Sequence, residues 1–166
     1  MIFERRFQLE LPFNWVADYK IFSSEKEVVY KTYLAGPSIT FVSHVIDFYG
    51  TSRYCISTSD EENPSEIRKF YDVSIDRQRF YQKVAMNMRG KKTIEFSRYC
   101  IDFGKIDYEL IIYNGRLNGL AVLVLEDVND DFFIPSFFKV KREITKDLAY
   151  NDYNLADLDE FLIVRD

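Results

Sequence analysis

Two apolar runs dominate the pattern of the chain, residues 108–113 and 120–128, separated by Asn114-Gly115-Arg116-Leu117-Asn118-Gly119. Asn and Gly adopt positive φ at low cost, so two Asn/Gly pairs between β-branched runs predict a hairpin or a related antiparallel connection. Strand side chains alternate between faces. Glu109, Ile111 and Tyr113 therefore share one side, and Val122, Val124 and Glu126 share one side of the partner. Neither run has a consistently polar side, so both strands are expected to be covered on both faces, as in a closed barrel or between layers.

The remaining pattern adds six strands and three helices. Residues 2–11 alternate as a first strand that Pro12 ends, and Trp15, Tyr19 and Phe22 sit near helical spacing in residues 14–22. Strands are expected over residues 28–34, 40–48, 53–58 and 67–73, with a turn at Gly36-Pro37 and a polar loop over 59–65. Ser74 is placed to cap a helix over 75–88 that carries Ile75, Phe80, Val84 and Met88 on or near one face. Residues 93–103 read as a sixth strand, the central pair supplies the seventh and eighth, and 129–138 read as a loop or short helix. Asn154 is expected to cap a final helix over 155–164. With no repeat, low-complexity stretch or long linker, residues 1–166 form a single domain, β-rich and of the α+β class.

Composition narrows the partners. A chain of 166 residues buries a sizeable core, and 15 Phe and 12 Tyr suit thick β packing. A formal net charge of −5 argues against general nucleic-acid binding, which relies on Lys and Arg neutralising phosphates. Cys55 and Cys100 are no disulfide framework and read as reduced cytoplasmic thiols. The charges of Glu4, Arg5 and Arg6 fall where a signal peptide would turn apolar, and the apolar run 120–125 is far short of the ~20 residues that span a bilayer. The expectation is a cytoplasmic protein without a membrane partner. His44, the only histidine, has no Cys or His at ligand spacing and reads as a half-buried strand residue. There is no phosphate-cradling Gly loop and no Ser or Cys/His nucleophile context.

Several residues in order carry a resemblance: Glu4-Arg5-Arg6-Phe7 at the start, then Glu109, Tyr113, Gly115, Gly119-Leu120 and Glu126, then Pro135, Glu143-Ile144-Thr145 and Tyr150 to Ala156. Together they resemble the CYTH family, the triphosphate tunnel enzymes, at both ends of the chain. The match through residues 35–90 is loose. The resemblance implies a closed antiparallel eight-stranded β-barrel with flanking helices. It also implies a lumen in which Lys and Arg hold phosphate oxygens and carboxylates bind divalent cations.

Many lining positions of that family are changed here. Ile2 and Val124 stand where one member of each Glu pair is expected, while Glu4 and Glu126 remain as the implied metal ligands. Ile111 and Phe96 replace an acid and a base, Ser59 a lysine, and Ser43, His44 and Val45 occupy the region of an Arg pair; Arg68 and Phe70 stand near usually acidic positions. The survivors are Glu4, Arg6, Arg98, Glu109 and Glu126. Arg6, Arg98 and Glu109 are candidate ligand-binding residues, with Lys141 of the basic run Lys139-Val140-Lys141-Arg142 as a closure over an anion at one mouth. Each also has a plain reading, as a buried ion pair or a solvated basic face.

Two classes follow. One is a tunnel protein that has lost much of its metal and triphosphate lining and is weakly active or non-catalytic. It would hold at most one Mg²⁺ or Mn²⁺ and bind a phosphorylated small molecule or a protein partner. The alternative is an active metal-dependent triphosphatase or adenylyl cyclase using the remaining carboxylates. An apolar stretch lined by Ile2, Ile111, Val124 and Phe96 favours the first class.

Overall fold

The structure, a computed structural model, describes residues 4–10, 25–34, 39–59, 67–86, 93–103, 106–126, 132–136 and 138–158. Its strands are β1 (Arg5–Leu9), β2 (Glu25–Leu34), β3 (Ile39–Ile46), β4 (Ser52–Ser59), β5 (Ile67–Asp72), β6 (Ile94–Phe103), β7 (Ile106–Tyr113), β8 (Ala121–Leu125) and β9 (Val140–Glu143). Two helices, α1 (Ile75–Met86) and the single turn α2 (Asp152–Leu155), join them, with 3-10 turns at Gly115–Leu117 and Leu148–Tyr150.

The nine strands form one sheet in the order β5-β4-β3-β2-β6-β7-β8-β1-β9, antiparallel at every ladder. The first strand lies beside the 120–128 strand, with Arg6 opposite Val124 and Gln8 opposite Val122. The expected closed eight-stranded barrel is corrected on two points. The basic run at 139–142 belongs to a ninth strand, and among the described residues β5 and β9 end the sheet without pairing with each other. β9 is only four residues long, and its register with β1 shifts between Gln8 and Leu9. Such an irregularity bends a strand and ends pairing at a sheet edge.

The sheet is nevertheless strongly curved. β1 and β2 flank β8, β7 and β6, which separates them by about 19 Å in a flat sheet at about 4.8 Å per strand. Yet Arg6 of β1 reaches the Tyr150 carbonyl at 3.5 Å, and Lys31 of β2 reaches Asp152 at 2.8 Å. These contacts, with the single inner cluster that joins Val29 and Phe41 to Val122, Val124 and Leu155, come from strands that curve around the 150–156 segment.

Two apolar clusters cover the two faces. Inside the curve pack Val29, Tyr33, Phe41, Phe96, Tyr113, Val122, Val124, Leu155 and Ala156; outside pack Phe7, Tyr108, Leu110, Leu123, Leu125 and Phe138. β8 is buried at every residue, which agrees with its lack of a polar side. The connection before it is tight: Gly115 and Gly119 take φ of 65° and 108°, and the Tyr113 amide bonds the Leu120 carbonyl at 3.0 Å.

Ser74 caps α1 through the Arg77 amide at 3.2 Å, but Ile75 and Phe80 of the expected stripe are exposed, while Met88 and the side chain of Val84 lie outside the described residues. Phe80 is 63% exposed while Gln78 is buried, because this polar helix has too few apolar residues to dictate its orientation. At the other end Asn151, not Asn154, supplies the cap, accepting from the Asn154 amide at 2.9 Å. The final helix expected over 155–164 is corrected, since the helical turn ends at Leu155 and residues 156–158 are not helical; residues 159–164, like the helix expected over 14–22, lie outside the described residues.

Candidate concave-face site

Register fixes which side chains share the concave face, since directly opposed residues point the same way. One row runs Arg6, Val124, Glu109, Cys100, Glu25 across β1, β8, β7, β6 and β2. The next runs Gln8, Val122, Ile111, Arg98, Glu27. Deeper rows hold Tyr113, Phe96, Val29 and Val45, then Ile94, Lys31, Ser43 and Cys55. Beyond Arg6, continuing the β1–β8 register brings Glu4 opposite Glu126.

Of the residues singled out in the sequence, Glu4, Arg6, Glu109, Glu126 and Arg98 thus come to one face. Lys141 does not join them: it falls at the register shift of β9, and Arg142 is the basic residue aligned with Gln8. Ile2 lies outside the described residues, as do the side chains of Arg68 and Phe70. Val124, Ile111 and Phe96 separate the charged groups as an apolar band.

The open end of the face is dominated by acids. Burial pushes the Glu4 carboxyl up, Arg6 opposes this from 3.8 Å, and Glu126 and Asp152 reinforce it. Glu109 is likewise pushed up by burial, against Arg98, with Glu126, Glu4 and Glu27 adding repulsion. Arg98 is bonded to Glu27; burial disfavours its charge, but Glu27 and Glu109 more than compensate and hold its pKa above the ordinary value. Its Nε is buried with no hydrogen-bond partner among the described residues.

The deep end holds a second charged group that the sequence reading did not single out. Lys31 donates to Asp152 Oδ2 at 2.8 Å, and the Tyr113 hydroxyl donates to Oδ1 at 2.6 Å. Burial raises the Asp152 pKa, but Lys31, Tyr113 and Arg6 together hold it below the ordinary carboxyl value. Tyr33 and Tyr113 are pushed well above ordinary phenols, first by burial and then by the Asp152 charge. Lys31 carried a readable signal: it lies on the same alternating side as Val29 and Tyr33 within an apolar strand. Glu27 lies just ahead of the strand expected over 28–34, and Asp152 lies ahead of the expected helix, so neither could be paired from sequence.

The fit to divalent ions is limited. Carboxylate oxygens are the right donors for Mg²⁺ or Mn²⁺, but among the described residues no three His, Cys, Asp or Glu side chains converge on a metal position. Among the described residues, no helix is long and apolar enough to cross a membrane.

No family model and no curated protein sequence matches the chain. Solved structures do. One described as the inorganic triphosphatase NE1496 has a TM-score of 0.64 at 19% identity, over 93% of this chain and 97% of that one. Another, described as the hypothetical protein NE1496, has a TM-score of 0.64 at 18% identity, over 95% and 99%. At these identities the likeness is one of fold, and at that level the resemblance read from the residues holds.

Proposed function

We propose that this chain, sharing the fold of a triphosphatase, is a phosphate-compound binding protein whose catalytic lining is depleted, so that it turns over triphosphates weakly or not at all. The observation that carries this reading is the apolar band. Val124 stands between Arg6 and Glu109, and Val122 with Ile111 between Gln8 and Arg98. A bare triphosphate requires charge-assisted contacts along its whole length, and this band offers none.

What remains suits a shorter anionic group. The Arg98 fork keeps one buried N–H without a partner among the described residues, and an oxyanion is a natural acceptor for it. Arg6 lies on the neighbouring row. Glu109, close to Arg98, keeps the site from holding more than a modest negative charge. Glu4 and Glu126 complete the proposal: with water and a ligand oxygen they hold at most one Mg²⁺ or Mn²⁺. Lys141 approaches this site only if the β9 edge shifts.

Calorimetric titration with phosphate and inorganic triphosphate, with and without Mg²⁺ or Mn²⁺, tests binding. Phosphate release by the same purified protein tests turnover. The expected result is binding that Arg98→Ala weakens, with release far below that of a dedicated triphosphatase. Robust metal-dependent release, abolished by Glu4→Gln, would overturn the proposal in favour of an active enzyme.

A further inference from the structure

We propose that Lys31, Tyr113 and Arg6 form an anion site that the chain fills with its own Asp152. The segment over residues 148–158 is then a self-ligand that a phosphorylated compound must displace. This rests on the phosphate-binding reading above and adds a second contact point and a means of regulation.

Three donors converge on one carboxylate. Lys31 and the Tyr113 hydroxyl take separate Asp152 oxygens, and Arg6, bonded to the Tyr150 carbonyl, adds its charge to the same group. An ammonium, a phenol and a guanidinium around a pair of oxygens are as suited to phosphate as to a carboxylate. The Lys31 ammonium is also placed by two aromatic rings. It lies 4.9 Å from the Phe41 ring centroid and 5.5 Å from that of Phe96, which hold it over the inner face.

The segment that brings Asp152 is held by Arg116 and by apolar packing. Arg116 bonds the Leu158 carbonyl and also the Thr93 carbonyl, the latter at 2.8 Å. Leu155 and Ala156 enter the inner cluster, and Tyr153 meets Tyr33 edge-on at 5.4 Å. Its fit is incomplete: Asn151 is 4% exposed, yet its Nδ2 has no partner among the described residues. Gln8, aligned with Val122 on the same face, is 2% exposed with its Oε1 in the same condition. Buried polar groups in native structures are almost always bonded, so this segment covers the inner face without satisfying it.

Asp152→Asn keeps the shape of the side chain and removes its charge. Titrated with inorganic phosphate by calorimetry, Asp152→Asn is expected to bind at least about tenfold more tightly than wild type. Adding Lys31→Met to it should abolish the gain. Equal affinities for wild type and Asp152→Asn overturn the inference. If Arg98→Ala still weakens wild-type binding in that case, the phosphate-binding reading survives on its own. Binding by neither wild type nor Asp152→Asn overturns both. Should Asp152→Asn not fold, hydrogen exchange on wild type decides. The Leu155 and Ala156 amides, bonded to the Asn151 and Asp152 carbonyls at 2.9 and 3.0 Å, should exchange several-fold faster under saturating phosphate. Unchanged or slower exchange overturns the proposal.

Discussion

Lys31→Met removes the deep cation while keeping an unbranched side chain between Phe41 and Phe96. The side chains of Lys31 and Asp152 are 21% and 17% exposed, so water screens their attraction only in part. Removing one partner of a buried pair costs about 3–5 kcal/mol. Asp152 keeps the Tyr113 hydroxyl and the nearby charge of Arg6, which places the cost at the lower end, about 3 kcal/mol. The lost cation–π attraction, about 1 kcal/mol, is largely offset by the packing of the methionine sulfur. For a domain of this size the melting temperature should fall by about 6–12 °C.

Urea unfolding of wild type, Lys31→Met, Asp152→Asn and the double variant at neutral pH isolates the pair, with an expected coupling of about 2 kcal/mol. Acidity supplies an independent check. In wild type the folded Asp152 pKa is depressed, so its contribution is present above the unfolded value of about 3.9 and is lost as pH falls through the folded value. In Lys31→Met burial dominates and the folded pKa rises above the unfolded one. The destabilisation should then grow as pH rises through the folded value and shrink on acidification. A coupling near zero, or a deficit that does not diminish at low pH, would refute the reasoning.

Two further outcomes follow from the same geometry. Arg98→Ala should cost about 1–2 kcal/mol, less than a fully buried pair, because the Arg98 and Glu27 side chains are 31% and 30% exposed; calorimetry should show weaker phosphate binding, and a retained affinity would reduce Arg98 to a structural role. Gly119→Ala should cost at least about 1–2 kcal/mol, since the backbone there holds φ at 108°, and unfolding midpoints in urea would register it.

The sheet was legible from sequence where local pattern decides it. The central pair, the Ser74 cap and the buried character of β8 all follow from alternation and turn chemistry, whereas the pairing of the first strand with the 120–128 run is in keeping with the barrel that the family resemblance implies. What failed depended on distant partners. Val140–Glu143 is a strand because β1 offers a free edge, with Arg5 of β1 holding Glu143 at 2.7 Å, and no local signal marks so short a charged run. Asn154 and Asn151 are equally good caps in isolation; the Asp152 tie to Lys31 goes with the earlier start. Phe80 faces outward because α1 has little apolar surface to set its rotation, so periodicity was read where packing was weak. Five of the six candidate ligand and metal residues share one face, but their neutralising partners Glu27 and Asp152 required the fold.

Those partners bear on how any ligand must bind. An inward cation left alone in an apolar setting is costly, and Ile111, Val122, Val124 and Phe96 make much of this face apolar. Each of Arg6, Lys31 and Arg98 is accordingly matched by an acid of the chain itself: Glu4, Asp152 and Glu27. A ligand therefore exchanges with internal carboxylates rather than filling bare positive charge, and its affinity is the difference between two similar interactions. A monoanion gains little from that exchange. A group with several charged oxygens, such as phosphate, can displace one carboxylate and still satisfy further donors, including the Arg98 Nε. Discrimination by oxygen count, visible as a steep rise in affinity from acetate to phosphate in the Asp152→Asn protein, is the behaviour this face should display. A flat response across that series would mean that the cations serve only the fold.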